Sequence, residues 1–351
     1  MQKSELNRIV EESTRKLMQI SVPPVRYGIL VDVLRRDIDD TVLQRTISEC
    51  RTYPMRLKLL DTLREDGTWP ISKQRKIAED AGPGPPIGWT YITMLRNLYE
   101  LGECCSTKDD GRIRASIERI LGWQTKEGYI PGPWSPALPL PQYNGFALRN
   151  IVRLGLLDDR RVDRLVKWLV KVQRPDGGWN IPFLEDVKYL PKYRYMSTDD
   201  FTELIERGEV SGYDPADHFD TPSCIWTTLM VVRGFIQTTS LEKMKATRRG
   251  AEFFLDRFFQ RNYHSSFYKS EKNWTMLKYP TYFGSGLCAL DILTFMGYGP
   301  EDPRMDKPIK WLLNARSRDG FWHRSDRPHP VTDQWISVIA LSILDRYARA
   351  M

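Results

Sequence analysis

The sequence predicts an all-α fold, a double ring of helices or (α/α) toroid of about five helix pairs with an N-terminal helical extension. Three observations predict it. A short phrase recurs along the chain: an apolar helical segment, an acid, one or two glycines and an aromatic residue. A second, more apolar helical segment follows each copy. The composition, with 351 residues, 41% hydrophobic and 28% charged, supplies a sizeable core and excludes disordered and collagen-like classes.

Residues 1–52 read as a helical cap and residues 53–351 as the toroid. The phrase appears as MRLKLLDTLREDGTW (55–69), IERILGWQTKEGYI (117–130), VKWLVKVQRPDGGW (166–179) and IKWLLNARSRDGFW (309–322). A degenerate copy, GAEFFLDRFFQRNYHSSF (250–267), keeps Gln260 but loses the glycine. One interval between copies is longer than the rest, and a polar insertion at about 184–217 accounts for it. The second segments are WTYITMLRNLYELG (89–102), YNGFALRNIVRLG (143–155), PSCIWTTLMVVRGF (222–235), YFGSGLCALDILTFMG (282–297) and QWISVIALSILDRYA (334–348). Phrase helices are amphipathic and several second helices are apolar nearly all round, which implies two concentric layers. In the phrase, glycine supplies the left-handed residue that ends a helix and the tryptophan packs back on it. Gln124, Gln173, Trp69, Trp179 and Trp322 are therefore expected to be structural.

Lysine and arginine (52) exceed aspartate and glutamate (45), giving +7, but no basic block of nucleic-acid-binding type occurs. No nucleic acid is expected as a partner. The N-terminus carries charge where a secretion signal needs an apolar core, and no stretch reaches the roughly 20 clean apolar residues of a membrane span. Five scattered cysteines lack CxxC spacing, which fits reduced thiols in a cytoplasmic protein. A peripheral membrane contact is compatible with this reading, and the oligomeric state is open.

VQRPDGGW and ARSRDGFW resemble the Gln-Trp motifs of squalene-hopene cyclases, oxidosqualene cyclases and protein prenyltransferase β-subunits, which share the terpenoid-cyclase α/α toroid. The resemblance spans residues 55–349 and is closest to short prokaryotic squalene-cyclase-like proteins. It implies an apolar small-molecule partner, an isoprenoid, in a central cavity, and acid-initiated cyclisation or isomerisation. Two alternatives stay open: a non-catalytic toroid that binds a lipid or protein, and a prenyltransferase-like enzyme using a prenyl diphosphate.

Class II cyclases protonate their substrate with the central acid of a DxDD motif, where clustered carboxyls hold a proton. Asp37-Ile38-Asp39-Asp40-Thr41 matches that text, with Asp39 in the central place, but opens a polar helix, so the capping role competes. Asp214, Asp217, His218 and Asp220 precede the apolar helix at 222–235, a better position for a catalytic acid with a histidine partner. Asp291, alone inside LCALDILTF, must be paired with a cation or face a cavity. Asp333 opens the last helix and caps it or serves there. Trp89, Tyr91, Tyr143, Phe146, Trp226, Tyr282, Phe283 and Trp335 are candidate substrate-facing aromatics. Arg149, Arg153 and Arg233 are expected to pair with Asp291 or with a diphosphate. Prenyltransferases hold zinc through Asp, Cys and His. Here Cys224 lies four residues after Asp220, and His329 precedes Thr332 in a proline-rich loop, so neither metal nor cofactor is expected.

Overall fold

A computed structural model describes residues 2–71, 89–133, 139–180, 222–262, 271–282 and 284–351, with a few isolated positions between 200 and 209. The described residues are helical, without β-strands beyond a single Trp179–Cys224 bridge. In chain order the helices are α1 (Lys3–Ile20), α2 (Pro23–Gly28, continuing into a π-helical turn at Ile29–Val33), α3 (Thr41–Arg51), α4 (Pro54–Asp61), α5 (Trp89–Glu103), α6 (Gly111–Gly122) and α7 (Pro141–Arg153). They continue as α8 (Arg160–Lys171), α9 (Ile225–Phe235), α10 (Lys245–Leu255), α11 (Gly286–Phe295), α12 (Asp306–Asn314) and α13 (Pro330–Ala350). Each expected phrase helix and each second helix is present. The polar insertion at about 184–217 lies almost wholly outside the described residues.

The chain forms two compact units. One comprises Met1–Arg56, Phe254–Arg261 and Ser270–Met351; the other comprises Leu57–Phe253 and Asn262–Lys269. Residues 1–56, which include the expected N-terminal helical cap, fall in the same unit as the C-terminal helices.

In the second unit, α7 packs on α5, α8 and α9. The amphipathic α8 buries Val162, Leu165, Val166, Trp168 and Leu169 on one face, whereas every residue of α9 except Arg233 is buried. The crossing of α7 and α9 is close because it is made of glycine. A Cβ on Gly145 would stand 2.6 Å from the Val231 Cα, and one on Gly234 would stand 2.6 Å from the Gly145 carbonyl oxygen. In the first unit, α13 packs on α1, α2 and α11.

The repeated phrase is a clamp. The indole N–H groups of Trp69, Trp179 and Trp322 each donate, at 2.7 Å, to a carbonyl ten residues earlier, those of Leu59, Leu169 and Leu312. Gly67, Gly128, Gly177 and Gly320 all have positive φ (80°, 106°, 92° and 97°). Gln124 Nε2 donates to the Gly128 carbonyl and, across to α8, to the Arg161 carbonyl. Gln173 Nε2 bonds the Gly177 carbonyl and reaches the Ala246 carbonyl of α10 in the same way. The Gln124 and Gln173 clamps therefore each close their own turn and fasten the phrase helix that comes next. The degenerate copy uses a different tryptophan: fully buried Trp274 donates to the Gln260 carbonyl at 2.7 Å.

Candidate functional site

The last clamp in the chain opens onto a cleft. It has a volume of about 600 Å³, within the first unit, where the end of α1, the loop after Trp322 and the start of α13 come together. Leu17 and Ile20 of α1, with Phe321, Pro328 and Pro330, give it apolar walls. Gln334 fixes the α1–α2 turn beside it, accepting from the Val22 N–H and donating to the Ile20 carbonyl.

At its polar end His323 lies between two carboxylates. Nδ1 is 3.1 Å from Asp333 Oδ2 and Nε2 is 2.8 Å from Asp319 Oδ2. Asp333 is buried on the first turn of α13, where it also accepts from the backbone N–H groups of Arg324 (2.9 Å) and His329 (3.1 Å). This fixes its orientation and ties down both ends of the 323–330 loop. Asp319 is the acid of the fourth clamp and accepts from the Phe321 N–H; its side chain is half exposed. Burial on its own would lower the His323 pKa, but the hydrogen bonds to Asp333 and Asp319 outweigh it and hold the imidazole above its usual value. Asp319 is held below the ordinary carboxylate range: burial opposes this, and the Phe321 amide and His323 overcome it. The arrangement is an imidazole that a buried carboxylate orients and a more accessible one covers, a group suited to proton transfer at Nε2.

The sequence singled out Asp333 and missed His323. The local signal existed, since His323 directly follows the clamp tryptophan and sits four residues after the clamp acid and ten before Asp333.

The other sequence candidates fall as follows. Asp214, Asp217, His218, Asp220 and Phe283 lie outside the described residues. Asp39 is exposed on the loop before α3, and Asp40 caps that helix by accepting from the Val42 and Leu43 N–H groups. Asp291 is paired with Arg346 Nη2 at 2.9 Å, and the same guanidinium donates to the Asp291 carbonyl. Tyr91, Phe146, Trp226 and Trp335 are buried, Trp335 stacked on Tyr279, while Trp89, Tyr143 and Tyr282 keep part of their surface exposed. Cys224 accepts from Asn262, and among the described residues no group of three or more His, Cys, Asp or Glu side chains is placed to hold a metal ion. No helix of the described residues is long and apolar enough to cross a membrane.

A second polar group sits in the other unit, at the C-terminal ends of α5 and α7. Arg149 Nη2 donates to Glu103 Oε1, and its guanidinium lies 4.0 Å from the centroid of the Tyr99 ring. Arg149 is paired internally, as expected, but with Glu103 and not with Asp291, which takes Arg346. Burial would raise the Glu103 pKa, but Arg149, Arg153 and Arg233 hold it below the ordinary value. Glu100, one turn earlier, is raised to about 7 by burial and by the Glu103 charge, with Arg149 opposing only in part.

No family model matches the chain, and no curated protein matches it in sequence. Two solved structures are similar at low level. A protein from Actinoplanes is 13% identical with a TM-score of 0.42, covering 99% of each chain. The type II terpene cyclase MstE from Scytonema, in its apo form, is 11% identical with a TM-score of 0.29, covering 87% of this chain and 98% of that one. What either protein does is not carried over from likeness at this level.

Proposed function

We propose that this chain is a terpenoid-cyclase-like toroid that binds an apolar, isoprenoid-like molecule and starts its isomerisation or cyclisation by proton transfer, with the His323 cleft as the working site. The supporting observation is the bracketed imidazole in a cleft that also presents the apolar side chains of Leu17, Ile20, Phe321, Pro328 and Pro330. The hydrocarbon lies along Leu17, Ile20 and Pro328, and its reacting group meets Nε2 once Asp319 swings towards solvent. Asp333 stays in place and stabilises whichever protonation state the imidazole takes.

The acid strength selects the substrate. A histidine acid is too weak to protonate an isolated alkene but suited to an oxygen function, which favours an isoprenoid alcohol or epoxide over a plain hydrocarbon. The alternative, a non-catalytic lipid binder, draws support from both ring nitrogens of His323 being engaged, as a purely structural tie would be.

The test is incubation of the purified protein with squalene, squalene epoxide and geranylgeraniol, followed by analysis of lipid extracts. The expected result is a new product from the epoxide or the alcohol that is lost in a folded His323→Gln variant. Saturable binding of these lipids without turnover supports the binder instead, and neither binding nor turnover contradicts both readings.

A further inference from the structure

We propose that residues 324–329 form a lid over the His323 cleft, latched shut by the single buried carboxylate of Asp333. The lid governs access whatever the cleft binds; only its consequence for His323 rests on the function proposed above.

The segment is part of the cleft wall. Ser325, Asp326, Arg327 and Pro328 line the cleft together with Leu17 and Ile20 of α1, yet Arg324 through Pro328 are all exposed. A stretch that buries so little apolar surface has little but its polar ties to hold it in place. Those ties are few. Pro328 and Pro330 carry no amide donor, one within the segment and one just beyond it. Among the described residues, the hydrogen bonds of 325–328 stay inside the segment: the Ser325 hydroxyl donates to the Arg327 carbonyl at 3.4 Å and accepts from the Arg327 N–H at 3.3 Å.

Both ends instead meet one residue. Asp333 Oδ1 accepts from the Arg324 N–H at 2.9 Å, and Oδ2 accepts from the His329 N–H at 3.1 Å. The Asp333 N–H in turn donates to the His329 carbonyl at 2.8 Å. Asp333 itself is buried and fixed on the first turn of α13. Loss of this one carboxylate frees both ends of the segment at once, whereas loss of a bond inside the segment frees neither. That is the geometry of a latch, and a loop held in this way gates entry and excludes water while closed.

The carboxylate has a third partner, His323 Nδ1 at 3.1 Å. Unlatching therefore also releases the imidazole, so the proton-transferring group is oriented only while the lid is closed.

Two measurements on the full chain test the lid. The first is hydrogen exchange resolved by amide. In the wild type the Arg324 and His329 amides should share one protection factor, as a common latch requires, below that of the Trp322 amide, which is held by the buried Ser337 hydroxyl. In Asp333→Asn both should fall about tenfold or more, with Trp322 unchanged. The second is the distance between spin labels at Ile20→Cys and Arg327→Cys, both exposed and both lining the cleft. A Cys105→Ser background leaves only buried native cysteines. Asp333→Asn should lengthen and broaden the label distance. Unrelated protection factors for Arg324 and His329 in the wild type, or a label distance that Asp333→Asn leaves unchanged, overturns the lid. Should Asp333→Asn fail to fold, the wild-type exchange decides alone.

Discussion

The hydroxyl of Ser13 donates to the carbonyl of Gly320 at 2.9 Å, joining positions 307 apart in the chain. Arg316, standing where the second and third phrases have Gln124 and Gln173, donates to that same carbonyl and to the Ser13 hydroxyl, while Lys16 reaches the Asp319 carbonyl. In the Gln124 and Gln173 clamps the corresponding donor fastens the next phrase helix. Here no further repeat follows, and α1 takes its place. The N-terminal helix is thus the partner of the last repeat, and its Leu17 and Ile20 wall the cleft.

Ser13→Ala should destabilise the protein by about 1–2 kcal/mol, because the buried Gly320 carbonyl and the Arg316 guanidinium both lose a partner. Urea unfolding measures this. A cost indistinguishable from that of an exposed serine, such as Ser48→Ala, would show that α1 does not depend on the clamp.

Gly177→Ala should cost more. The residue has φ of 92°, and an added Cβ would stand 2.7 Å from the Arg249 carbonyl oxygen of α10, so both backbone strain and a steric clash oppose it. A loss of about 2–4 kcal/mol is expected. Gly111→Ala, with open space around its Cβ position, is the matched control and should be neutral or stabilising.

The Asp291–Arg346 pair is mostly buried, its side chains 13% and 15% exposed. Asp291→Leu leaves the Arg346 charge without its carboxylate and should cost about 3–5 kcal/mol, whereas Asp291→Leu with Arg346→Met should recover most of that loss. Equal destabilisation of the single and double variants would assign Asp291 a role other than pairing.

Glu100 gives a pH dependence of defined sign. Its folded value of about 7 lies above the ordinary 4.5, so the folded state holds the proton after the unfolded state has released it. Stability should fall as pH rises from about 4.5 to about 7, by up to about 1.4 kcal/mol per pH unit, and level off above that. His323, also raised, adds a fall of the same sign in its own window, so the test is the difference between wild type and Glu100→Gln in urea midpoints at pH 5, 6, 7 and 8. The variant should lose the Glu100 part of the slope. Parallel curves would contradict the raised value.

The helices and clamps were legible in the sequence because their determinants are local. The glycine that must turn left-handed, the tryptophan that reaches back ten residues and the glutamine four residues before its carbonyl all lie within one phrase. The place of α1 was not legible, because Ser13 is an ordinary helical serine until the last repeat arrives beside it. Asp291 plainly required a cation, yet pattern alone could not choose Arg346 over Arg149, since that depends on which helices are neighbours. His323 escaped for another reason: its partners are close in sequence, but a clamp and a proline-rich loop each have ordinary structural explanations that conceal the juxtaposition.

The most direct measurement is an NMR titration of the His323 ring proton, repeated with geranylgeraniol present. A midpoint above the ordinary 6.5 of histidine is expected in the free protein, with a clear displacement of that midpoint when the lipid alcohol binds. A midpoint at or below 6.5, or a curve that the lipid leaves untouched, would contradict a bracketed imidazole working on an apolar ligand.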